Sequence, residues 1–141
     1  MSMVHDNTIK SYSVDFEAET MVIKTVYHDS ANEIFEDTDI VFTGYLAHEF
    51  LNVSTVNIIY DIKEIYIDEF LKYNPKQLES GKGYLWSDWC VTKKDIIQYV
   101  EAKKYRIFNM FPVCGLSGWV FAKQMDIIVN GELFTPEKDT Y

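Results

Sequence analysis

Asn57-Ile58-Ile59-Tyr60-Asp61-Ile62-Lys63-Glu64-Ile65-Tyr66-Ile67-Asp68-Glu69-Phe70-Leu71-Lys72-Tyr73-Asn74-Pro75 is the stretch where the chain changes rhythm. Up to Ile62 the apolar residues alternate, with Val56, Ile58, Tyr60 and Ile62 on one side of a strand. From there Ile65, Tyr66, Phe70 and Tyr73 follow helical spacing, and Pro75 stops a helix at or before Asn74. The handover falls between Tyr60 and Ile67. It separates a β-rich first half from a helical middle, which is an α+β order.

Upstream, Tyr12, Val14 and Phe16 alternate with Ser11, Ser13 and Asp15, and Met21 to Tyr27 resumes after the polar break Glu17-Ala18-Glu19-Thr20. That is the pattern of a hairpin. His28 to Asp39 is polar and reads as a loop. Ile40, Phe42, Leu46 and Phe50 then share a third strand face, with Gly44 as a bulge. Together with the strand ending at Ile62 these segments predict a four-strand antiparallel meander.

Downstream, Lys76 to Asp88 reads as a loop. Thr92 and Asp95 come close to a capping box, and Ile96, Ile97 and Val100 supply the apolar stripe of a helix at about 93–103. Lys103 and Lys104 suit its negative end. Tyr105 to Val113 and Trp119 to Val129 return to strands, and Asn130-Gly131 is a type I′ turn signal that predicts a last strand at Glu132 to Phe134. The expectation is a single α+β domain over residues 1–141. It has an antiparallel sheet of about six strands: the four-strand meander and a C-terminal hairpin, with two helices on the sheet.

Composition narrows the function classes. Hydrophobic residues make up 48% and aromatics 16%, enough for one core without disulfide, metal or cofactor. Cys90 and Cys114 have no partners at zinc spacing and read as buried reduced thiols. The start lacks a secretory signal and no apolar run is long enough for a bilayer, so the expected location is the cytoplasm. Charge is uneven: residues 1–69 hold 14 of the 22 acids and only Lys10, Lys24 and Lys63, while residues 70–141 hold eight acids and ten bases. A net charge of −9 argues against nucleic acid, despite the small cluster Lys93, Lys94, Lys103, Lys104 and Arg106, and for a cationic protein partner.

Several residue sets have chemical potential. His48 lies on the inward parity of its strand, with Asp61 and Glu64 the nearest candidates to make it a general base or metal ligand. A histidine hydrogen-bonded at a strand end explains the same position and is preferred. A ligand pocket would gather His48, Asp61 and Trp119. Asp61-x-x-Glu64 reads as paired carboxylates or, preferably, as the N-cap and N3 pair of the first helix. Gly115-Leu116-Ser117-Gly118-Trp119 lacks the final glycine of a nucleophile elbow and precedes a strand, so it is a glycine turn. Three histidines without metal-ligand spacing leave no metal site.

Taken in order, Ser11-Tyr12-Ser13-Val14-Asp15-Phe16, Leu46-Ala47-His48-Glu49-Phe50, Asn57 to Glu64, and Gly115-Leu116-Ser117-Gly118-Trp119-Val120-Phe121-Ala122-Lys123 make the chain similar to the YxiG-like family of small proteins from Gram-positive bacteria. Some relatives lie near secreted toxin and immunity genes, so the resemblance implies an immunity-type role. It supplies no catalytic residues. An immunity protein against a basic toxin needs an acidic surface. The residues expected to form it are Glu36, Asp37, Asp39, Asp61, Glu64, Asp68 and Glu69. Two other readings stand beside it: an enzyme centred on His48, and self-association through a strand edge or an aromatic patch of Trp86, Trp89 and Trp119.

Overall fold

The computed structural model describes residues 4–134. In chain order these form β1 (Thr8–Asp15), β2 (Thr20–Asp29), β3 (Ile34–Thr43), β4 (Ala47–Leu51), β5 (Ile58–Ile65), α1 (Ile67–Tyr73), α2 (Gln77–Ser80), α3 (Lys93–Lys103), β6 (Arg106–Cys114), β7 (Ser117–Ala122), β8 (Gln124–Val129) and β9 (Glu132–Phe134). The strands make one antiparallel sheet in the order β4-β7-β6-β5-β1-β2-β3-β8-β9. Strands hold 51% and helices 17%, so the six-strand, two-helix α+β expectation is overturned. The described residues form a nine-stranded antiparallel sheet with a modest helical cover.

Much of the difference arises at one corner. The segments 34–51 and 117–129 run as one long antiparallel pair, and both break at the same level. Gly44 takes a left-handed φ of 63°, and opposite it Lys123 separates β7 from β8, its N–H donating to the Thr43 carbonyl at 3.0 Å. Before the break β3 pairs with β8; beyond it β4 pairs with β7. Two strands read from the sequence thus become four. The sheet folds back on itself as an open half-sheet (β1, β2, β3, β8, β9) and a covered half-sheet (β4, β7, β6, β5).

The half-sheets also join at β1 and β5, through the single register pair Thr8↔Ile58. Ile9 N–H donates to the Asn57 carbonyl at 2.8 Å, and Ile59 N–H to the Asn7 carbonyl at 3.0 Å. The meander is therefore three strands, β1 to β3, and β5 returns beside β1 rather than β4. The polar segment 28–39 is not a loop. β2 and β3 pair in register from Thr20↔Thr43 to Asp29↔Ile34, leaving a four-residue turn.

Between the half-sheets lies the first core, with Ile9, Met21, Ile23, Ile40 and Phe42 facing Ile59, Phe108, Met110, Val120 and Ala122. Phe42 and Phe108 meet across it at 5.4 Å. Asn7 Nδ2 donates to Thr25 Oγ1, whose hydroxyl donates to the Thr38 carbonyl at 2.7 Å, while Asn7 Oδ1 and Thr38 Oγ1 are buried without a partner. The second core packs the other face of the covered half-sheet, Ala47, Ile107, Trp119 and Phe121, against Phe70 and Leu71 of α1, Ile96 and Val100 of α3, and Leu85 and Trp86.

In α3 the sequence reading and the structure agree. Thr92 Oγ1 accepts from Asp95 N–H, and the Asp95 carboxylate accepts the Thr92 N–H, completing the capping box. At α1 they do not. β5 continues to Ile65, and the helix opens at Ile67 with Tyr66 as a cap that makes no side-chain bond. Asp61 and Glu64 therefore sit in a strand and cap nothing; Ile62 and Ile65, which look like one helical stripe, face opposite sides of β5, Ile62 toward the first core and Ile65 toward the second. The supposed loop 76–88 contains α2. Cys90 is buried as expected, but Cys114 is exposed at the end of β6.

Candidate functional site

In the open half-sheet β2 and β3 alternate over most of their length. Along β2, Met21, Ile23 and Thr25 are buried, while Val22, Lys24 and Val26 turn outward. Their partners on β3 are Val41, Asp39 and Asp37, and β8 adds Asp126 and Ile128 to the same face. Among the described residues no helix packs here, since the helical core draws its strand residues from the covered half-sheet. Residues 8–43 contain eight acids and two bases, Lys10 and Lys24. Both bases are engaged on the sheet, Lys10 with Asp37 at 3.0 Å and Lys24 with Asp39 at 3.7 Å.

Five of the other six acids of residues 8–43 gather at two hairpin tips. Asp15, Glu17 and Glu19 flank Phe16 between β1 and β2; Asp29 and Glu33 close the β2–β3 turn. Asp29 accepts from Asn32 Nδ2 at 2.8 Å and from Ala31 N–H, contacts that hold its carboxyl below the ordinary range. Beside it His28 stacks on Phe35 at 4.2 Å. The tip residues Asp15, Phe16, Glu17 and Glu19 were not among the expected partner contacts. Their signal is in the sequence all the same: an aromatic at the last alternating position, then acids with no base nearby.

The seven expected partner residues do not form one surface. Asp37 and Asp39 face outward on the open half-sheet, and Glu36 beside them is half-buried on the other parity. Asp61 and Glu64 lie on β5, and Asp68 and Glu69 in the first turn of α1. The two groups lie on different half-sheets, with β1 and β2 between β5 and β3 in the strand order. Glu64 is also neutralised, by a two-point ion pair with Arg106 at 2.7 and 3.1 Å that raises the Arg106 pKa. The Asp61 carboxylate accepts its neighbour Ile62 N–H, and that of Asp68 the Glu69 N–H.

His48 points inward, as its parity predicts, and its Nδ1 lies 2.7 Å from the Tyr45 hydroxyl. Tyr12 and Phe50 pack around it at 6.0 and 4.7 Å. Burial lowers its pKa and raises that of Tyr45, so the pair favours a neutral imidazole accepting from a phenol. Asp61 and Glu64 are not beside it. Strands β7 and β6 intervene, which puts β5 about 14 Å from β4 along the sheet. Trp119 lies on the opposite face of the covered half-sheet from His48, since His48 pairs with Val120 and Glu49 with Trp119. The set His48, Asp61 and Trp119 therefore has no common pocket.

Trp119 instead packs against Phe70 and Phe121 and floors a hollow of about 260 Å3 bordered by Glu49, Leu51, Tyr73, Asn109 and Phe111. Its Nε1 is buried without an acceptor. Trp86 and Trp119 are 2% and 3% exposed, so only Trp89 of the three proposed patch tryptophans reaches solvent. The glycine turn before Trp119 has a steric cause: at Gly118, φ 148°, a Cβ would run into the Glu49 carbonyl oxygen of β4. Among the described residues no three His, Cys, Asp or Glu side chains gather as metal ligands. No helix there is long and apolar enough to cross a membrane. Compared with known proteins, the chain matches no family model, no curated protein and no solved structure.

Proposed function

We propose that the protein acts by binding, and that it takes up a cationic protein partner on the open half-sheet and its hairpin tips, in the manner of an immunity protein set against a basic toxin. One observation carries this reading. The sheet face left without a helical cover belongs to the segment with eight acids and two bases. A field of that sign speeds encounter with a basic partner and repels nucleic acid. The acids of β5 and α1 belong to the covered half-sheet and its helical cover, not to the uncovered face, and Glu64 is already paired. They are secondary to this surface.

The reading is tested by pull-down from the source cells at low salt with two charge-reversed baits. The pair Asp37→Lys and Asp39→Lys should abolish capture of a basic protein, and raised salt should do the same to the wild type. The pair Asp68→Lys and Glu69→Lys should retain it. No partner at low salt, or equal loss from both baits, overturns the reading.

A further inference from the structure

The β1–β2 tip presents Phe16 to solvent at 77% exposure, between Asp15, Glu17 and Glu19. Along its row Tyr12 is 39% exposed and Val14 is half-buried between the sheets, and Phe16, the next residue of that parity, lies just past the end of β1. No ring packs against it among the described residues, whereas Phe35 at the other tip is stacked on His28. Nothing in the turn needs an aromatic there.

The tip is held firmly. Ala18 N–H donates to Asp15 Oδ1 at 3.0 Å and Thr20 Oγ1 to the Ala18 carbonyl at 3.1 Å. Glu19, at φ 51°, offers its carbonyl to Tyr45 N–H at 2.8 Å, which ties the turn to the corner between β3 and β4. Residues 11–23 contain no Lys or Arg, and the three carboxylates have no ion-pair partner among the described residues. A large apolar ring on a fixed loop costs little conformational entropy to bury, and such rings dominate interface energies.

We propose that this tip is the anchor of the interface. Phe16 enters an apolar slot in a cleft of the cationic partner, and Asp15, Glu17 and Glu19 meet Lys or Arg on the cleft rim. The inference rests on the binding reading above and adds the shape and chemistry of the partner's site.

The test places a photoreactive phenylalanine analogue at one of three positions in the full chain: Phe16, Ser13 on the open face, or Tyr66 on the helical side. Irradiation in the source cells should give an adduct from position 16 with a basic protein, mapped to a Lys- or Arg-rich cleft. Phe16→Ala should weaken capture of that protein at least about tenfold, and Glu17→Lys with Glu19→Lys should do likewise, with melting temperatures unchanged. An adduct from position 13 but not 16, with capture intact in Phe16→Ala, overturns the anchor and leaves the binding reading standing. Adducts from position 66 alone, or from none of the three, overturn both.

Discussion

The two half-sheets use the same antiparallel pairing and bury themselves differently. In β7 the run Trp119-Val120-Phe121-Ala122 is buried at every position, because one face meets the open half-sheet and the other the helices. In β2 burial alternates, and every second residue faces out. A continuous apolar run marks a strand covered on both faces; alternation marks one face left free. The molecule therefore keeps its structural redundancy in one half and its accessible, charged surface in the other.

Four experiments can break or sharpen that contrast. Phe121→Ala in the doubly covered strand should cost about 3–5 kcal/mol in denaturant unfolding, against under about 1 kcal/mol for Phe35→Ala on the open half. Equal losses would erase the distinction. Gly118→Ala should cost about 2 kcal/mol or more, since β4 must move off β7 to make room; an unchanged unfolding midpoint would show that the close approach is dispensable.

The third concerns His48, at the seam between the halves. Its folded pKa is lowered from the ordinary 6.5, so the unfolded chain takes up the proton at a higher pH than the folded one. Stability should be flat above that value and fall as the pH drops below it. Unfolding midpoints measured across this window should show a shallower fall in His48→Phe, and an unaltered slope would remove the burial argument. The smallest effect is expected from Lys24→Gln, whose exposed 3.7 Å pair with Asp39 should contribute under about 1 kcal/mol to thermal stability.

Local features were legible in the sequence wherever a local cause produced them. The alternation of Tyr12 and Val14, the Thr92–Asp95 box and the Asn130-Gly131 turn each need only neighbouring residues. The failures are places where distant chain decides. Ile40 and Leu46 look like one face, yet the turn at Gly44 sends Leu46 to the helical core while Phe50 returns to the inter-sheet core. The His28–Asp39 stretch is polar because it forms an uncovered hairpin, not because it is a loop. Asp61 and Glu64 sit at capping distance from a helix that starts later, because pairing with Phe111 and Phe108 holds them in β5. His48 drew attention for its parity, but its partner is Tyr45, three residues back and past the end of a regular strand.

The shared break at Gly44 and Lys123 also orders assembly in time. β3 pairs with β2 on one side, but its other edge, and β4, find their ladder partners only in residues 117–129. During synthesis the β1–β3 meander must wait with an unpaired edge until residues 124–129 have been made. Such edges are templates for pairing with other chains. The acids on and beside β3 then serve before there is any fold to speak of, by keeping nascent copies apart through like-charge repulsion.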